Sequence, residues 1–140
     1  MDNPLKYFAE LRDPRVERNR EHLLEEILLI AIAAVLSGAE SWNDIADYGE
    51  DKREWLQTFL TLPGGIPSHD TFNRVFSALY VGFGEDLDRK RAGYAAQNFS
   101  VLNRIALNLL RQDKTCKLGI KGKRLKAGWD NDYLLHLLGN

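Results

Sequence analysis

Two groups of side chains in this sequence have the chemistry to meet a polyanion. The first is Ser68, His69, Asp70, Thr71, Asn73 and Arg74, which follow the turn Leu62-Pro63-Gly64-Gly65-Ile66-Pro67. A helix start offers free amides and a hydroxyl cap to phosphate. Asn pairs geometrically with adenine and Arg with guanine. Ser68, His69, Thr71, Asn73 and Arg74 are therefore candidate DNA contacts, against the plainer reading of a solvated helix face. The second group is Lys114, Lys117, Lys121, Lys123, Arg124 and Lys126, with Asp113 the acid just before them. Lys117, Lys121, Lys123, Arg124 and Lys126 suit phosphate contacts that ignore base sequence. The competing reading is a solubilising tail. Trp129, just past the run, is read as docking back on the core in preference to stacking on a base.

Catalytic chemistry finds no such support. There is no Ser-His-Asp spacing, phosphate-binding Gly-rich loop or dinucleotide fingerprint. The acids Glu85, Asp86 and Asp88 form one local run beside Arg89, Lys90 and Arg91. A two-metal nuclease needs carboxylates gathered from separate elements, so this run reads as a solvated loop. His22, His69 and His136 stand far apart, and Cys116 is a single cysteine without a ligand partner nearby. No catalytic residue, metal ligand or cofactor is expected.

The elements that must position these groups are all helical, with no convincing strand. A short helix at about 4–12 ends before Asp13-Pro14. Leu23 to Leu36 is apolar on almost every face, which predicts a central buried helix over 21–37. Glu25 and Glu26 favour its first turn, and Gly38 stops it. Ser41 and Asp44 form a variant capping box for a second helix that Gly49 ends. Trp55, Leu56, Phe59 and Leu60 predict a third over 51–61. Phe72, Val75, Phe76 and Leu79 predict a fourth over 68–79, capped by Ser68. Val81 to Gly84 reads as an extended connector. A fifth helix is expected over 94–112, with Phe99, Leu102, Ile105, Ala106, Leu109 and Leu110 on one side. The tail 114–126 reads as weakly structured, and Asp130 to Leu138 as one short helix. The expected fold class is all-α, a small helical domain with a helix-turn-helix-like N-terminal part and a long C-terminal helix followed by a basic tail.

Composition agrees with a globular chain. Of 140 residues, 44% are hydrophobic, enough for a core. The single cysteine allows no internal disulfide and suits a reducing cytoplasm, the expected location. Met1 to Glu10 has no apolar stretch of a secretory signal. The apolar run Ile27 to Leu36 is half the ~20 residues a membrane span needs, so no membrane partner is expected. The net charge of −1 hides a split. Residues 1–88 hold 8 Lys and Arg against 17 Asp and Glu, a balance of −9; residues 89–140 hold 11 against 3, a balance of +8. A basic segment for nucleic acid and internal neutralisation by the acidic half both fit this split.

Two long stretches resemble a known family. One is Asp13-Pro14-Arg15, then His22 to Trp42, Glu54-Trp55-Leu56 and Gly65-Ile66-Pro67-Ser68-His69-Asp70-Thr71-Phe72. It resembles the N-terminal associated domain of H-repeat (insertion-sequence) DDE transposases. The other is Gly93 to Ser100 and Arg104 to Leu110, continued by Lys121 to Trp129, which looks like the extreme C-terminal part of the same proteins. Between them the family carries a ribonuclease-H-like core with three metal-binding acids, the first in an Asp-Gly-Lys motif. This sequence has no Asp-Gly-Lys and passes from Phe76-Ser77-Ala78-Leu79 to Val81-Gly82-Phe83-Gly84, with an apparent junction near Tyr80. The resemblance implies an internal, in-frame deletion and no catalytic residue to carry over. It divides the chain into an associated domain (1–79), a junction (80–92) and a C-terminal remnant (93–140).

On this reading the chain binds DNA without cutting it. The alternatives are an oligomerisation module acting on intact transposase through the 23–36 helix, and a degenerate product without function. The expected partners are DNA and either another copy of the chain or intact transposase. Loss of the core leaves the apolar face of helix 94–112 to be covered. Burying Phe99, Leu102, Ile105 and Leu109 is worth roughly 6–12 kcal/mol, so either an intramolecular dock or a homodimer is expected.

Overall fold

A computed structural model describes residues 22–83 and 94–139, with the side chains of 79–83, 94–98 and 101 outside the description. The expected helix at 4–12 and the acidic run 85–88 lie outside the described residues. Those described form seven helices and no strand: α1 (Leu24–Leu36), α2 (Trp42–Asp51), α3 (Arg53–Leu56), α4 (His69–Phe83), α5 (Tyr94–Gln112), α6 (Ile120–Trp129) and α7 (Asn131–Leu137). None is long and apolar enough to cross a membrane.

α1 is buried at every position except Glu25, as an all-round apolar helix must be. It ends at Gly38, whose φ of +109° only glycine adopts without strain, and Ala39 N–H closes back on Ala34 O at 2.9 Å. Glu26 in its first turn is buried too. Its carboxylate accepts from Thr61 N (2.7 Å), Thr61 Oγ1 (3.0 Å) and Leu62 N (3.0 Å). These bonds hold Leu62 at a φ of +44°, in the left-handed region that side chains avoid.

α2 starts as its sequence predicts. Ser41 Oγ accepts from Asp44 N (3.1 Å), and Asp44 Oδ2 accepts from Glu40 N (3.0 Å). Gly49 does not end it. Gly49 is buried within the helix, where a Cβ would lie 2.6 Å from Ile66 Cγ2. The glycine is there for close approach, and the helix runs on to Asp51. α3 has four residues in place of the expected eleven. Its apolar positions still face inward: Leu56 and Leu60 are buried, and Trp55 meets Phe59 edge-on at 5.1 Å. Past Leu56 the chain continues in turns, with Leu60 N donating to Leu56 O at 2.8 Å, as far as Thr61 and Leu62, which Glu26 holds.

α4 opens on Ser68, whose Oγ accepts from Thr71 N at 3.3 Å, and buries Phe72, Val75 and Phe76. It runs through Val81 and Gly82 to Phe83, where an extended connector was expected. One glycine costs a helix only about 1 kcal/mol, too little to end it. α5 begins and ends where its periodicity predicts and docks within its own chain, against α1 and α4. Leu102, Ala106 and Leu110 are fully buried, and Phe99 meets Trp42 edge-on at 5.2 Å. Trp42 also touches Phe76 at 5.6 Å, so one indole joins α2, α4 and α5. Ile105, expected on the buried side, is 37% exposed.

The basic tail is not weakly structured: it contains α6, packed on α5, α7 and α1. Composition concealed this, because what stabilises α6 is burial of Ala127 and Lys123 against α5 and α7. Asp130 caps α7 by accepting from Tyr133 N (3.1 Å), and Lys52 Nζ donates to Asn131 Oδ1 (2.9 Å), tying α7 to the end of α2.

Candidate nucleic-acid interface

At the start of α4, Ser68, His69 and Arg74 are exposed, and Thr71 and Asn73 are half-buried. His69 Nε2 lies 3.3 Å from Asp70 Oδ1, and Arg74 Nε donates to Asp70 O at 3.4 Å. Asn73 Oδ1 is buried without a partner, which turns its acceptor away from solvent. Of the five candidates at this end, Ser68, His69 and Arg74 are the ones in solvent, and each also contacts a neighbour in α4.

The second group divides. Lys117 and Lys121 are exposed, and Arg124 and Lys126 are half-buried. The Lys126 ammonium sits 4.7 Å from the centre of the Tyr133 ring. Lys123 corrects the expectation of a phosphate contact. It is 7% exposed, and its ammonium donates to Leu110 O and Asp113 O, both at 2.8 Å. A cation there caps the unpaired carbonyls at the C-terminus of α5 and offsets the helix dipole. Trp129 also differs from expectation: it is 72% exposed and does not dock on the core. The two candidate groups stand on different helices. α4 packs on α2 and α5, and α6 packs on α5, α7 and α1, so α5 is their shared neighbour.

Sequence reasoning missed a polar centre at the end of α5. The Asp113 side chain is 2% exposed. Its carboxylate accepts from Thr115 N (3.0 Å), Thr115 Oγ1 (2.6 Å) and Tyr133 OH (2.7 Å), with His136 Nε2 at 3.2 Å. Burial pushes its pKa up, but the hydrogen bonds from Thr115, Tyr133 and His136 outweigh burial and hold the carboxyl well below the usual carboxylate range. Burial first, and then Asp113, push the Tyr133 hydroxyl far above its ordinary value, so it stays a donor. The Asp-x-Thr spacing was a local signal for half of this centre. Tyr133 and His136 carried none, since α7 brings them in from twenty residues away. Glu26 and Asp113, the two buried carboxylates among the described residues, are both committed to holding the fold.

Residues 5–82 match the model of the DDE_Tnp_1-associated family, more than half of the chain, and the protein belongs to it. Among curated relatives, an "Uncharacterized protein in dhlA 3'region" of Xanthobacter autotrophicus is 39% identical over 139 residues, which are 99% of this chain and 43% of that protein. The "H repeat-associated putative transposase YbfD" of Escherichia coli K12 is 41% identical over 75 residues, 54% of this chain and 30% of the relative. The "Inactive transposase YbfQ" of the same strain is 50% identical over 56 residues, 40% of this chain and 67% of the relative. The chain spans less than half the length of the first two relatives. No solved structure matches.

Proposed function

We propose that this chain is an internally shortened member of the transposase family that binds DNA and does not cleave it. The observation that carries the DNA reading is the exposure of Lys117 and Lys121 on a folded basic segment, free of acidic partners among the described residues, in a chain of this family. The exposed start of α4, with Ser68, His69 and Arg74, supplies the contacts to a groove, in the manner of a helix-turn-helix recognition helix. Lys117, Lys121, Arg124 and Lys126 supply the phosphate contacts. Absence of cleavage rests on the missing Asp-Gly-Lys motif. The junction lies near Tyr80, within the sequence of α4, which continues to Phe83.

The test is fluorescence anisotropy of a labelled duplex at about 50 and about 200 mM salt. Neutralising roughly four phosphates gives a log–log slope of about −3.6, so affinity falls about 150-fold across that fourfold change. No binding at either salt sinks the reading. A role for α1 as the oligomerisation surface is not favoured, because α1 is buried within its own chain.

A further inference from the structure

Among the described residues, five large hydrophobic side chains are exposed, and three of them fall on α6 and the turn before it: Leu118 (52%), Leu125 (53%) and Trp129 (72%). Leu125 and Trp129, four residues apart, share one face of α6, and Leu118, in the turn before the helix, lies against that face at Gly122. A Cβ on Gly122 would lie 3.0 Å from Leu118 Cβ. The opposite side of α6 carries the buried Lys123 and Ala127. Exposed apolar residues scattered singly need no explanation; three at one face mark a contact surface.

The charge around this face says what it meets. Lys121 stands beside it on α6 and Lys117 adjoins Leu118 in sequence, both exposed, and the chain has no acid between Lys114 and Trp129. A second copy of the same face would oppose these cations to like charges, which disfavours self-pairing. A duplex satisfies the cations but leaves the apolar face bare, because its bases are stacked inside and present only edges and backbone. An unpaired strand satisfies both, since its phosphates follow the cations and its base faces cover the indole and the leucines.

We propose that the outer face of α6 binds unpaired DNA, with Trp129 stacking on a base and Lys117 and Lys121 holding the neighbouring phosphates. This rests on the DNA-binding reading and deepens it: α4 and the cations of the α6 segment hold a duplex, and Trp129 with the leucines adds a contact that only an unpaired strand can make. It also gives Trp129 a role separate from the fold, since its indole is mostly in solvent and its loss removes little packing.

The experiment compares labelled oligothymidine of about 15 nucleotides with a duplex of the same length, at one low salt concentration, using the full chain. Oligothymidine is expected to bind and to quench tryptophan emission. Trp129→Ala should weaken oligothymidine binding by about 5- to 150-fold, the loss of one base–aromatic stack, while duplex affinity and thermal unfolding stay as in the parent. Trp129→Phe should keep most of the affinity, because the stacking face remains. If duplex binds and oligothymidine does not, or if Trp129→Ala weakens both equally or neither, the inference falls and the DNA-binding reading stands. If neither oligonucleotide binds, both fall. Self-association in light scattering that Trp129→Ala abolishes would make the face a protein contact and overturn the inference.

Discussion

Asp113 shows how one residue changes meaning between sequence and fold. In the sequence it is only the acid just before a run of lysines. In the structure it is a buried carboxylate with donors from the 113–119 turn and from α7. Its hydrogen bonds depress its pKa despite burial, so its contribution to stability is present above the unfolded carboxylate value of about 3.9 and is lost as pH falls below it toward the folded value. Asp113→Asn is expected to destabilise the protein by about 1–3 kcal/mol at pH 7, since Tyr133 and Thr115 lose a charged acceptor. Urea unfolding at pH 7 and pH 3 checks this: the gap between parent and variant should narrow at the lower pH. An equal gap at both would mean that the carboxylate charge contributes nothing.

At the scale of elements, periodicity located every described helix except α6, and left several of their ends to the structure. The apolar faces of α1, α4 and α5 were legible because 3.6-residue spacing is a local property. The reason for Gly49 was not, because the glycine answers the close approach of Ile66, and the bonds from Glu26 to Thr61 and Leu62 were not, because these partners are remote in sequence. α6 is the sharpest case. Its lysines look alike in sequence, but Lys123 caps α5 while Lys121 faces solvent. Lys123→Met should cost about 1–3 kcal/mol of stability, leaving Leu110 O and Asp113 O unpaired, and should change DNA affinity by less than about 2-fold. Lys121→Met should do the reverse: stability within about 0.5 kcal/mol of the parent and visibly weaker binding at low salt. Thermal unfolding and anisotropy on the two variants separate these roles. A Lys123→Met variant that folds normally and loses DNA would restore Lys123 to the interface.

For the whole molecule, the question left open by the sequence was what covers α5. The chain covers it itself: Leu102, Ala106 and Leu110 are sealed against α1 and α4, and Phe99 closes on Trp42. Because α5 also carries α6 and, through Asp113, holds α7, a cavity in it should be felt everywhere. Leu102→Ala is expected to cost about 2–5 kcal/mol and to lower the unfolding midpoint equally by circular dichroism and by tryptophan emission. Separate transitions would mean that the two ends of the chain fold independently. The amino-acid sequence by itself determined the helical class, the apolar faces, the caps at Ser41 and Ser68 and the family, since each is written in local spacing or in long matching stretches. Only the tertiary structure decided which charges are free. Lys123, Glu26 and Asp113 are taken up by backbone and side-chain partners from other elements, whereas Lys117, Lys121 and Trp129 are left in solvent. Burial of a charge depends on donors and acceptors that folding brings from far along the chain, and no local pattern encodes that meeting.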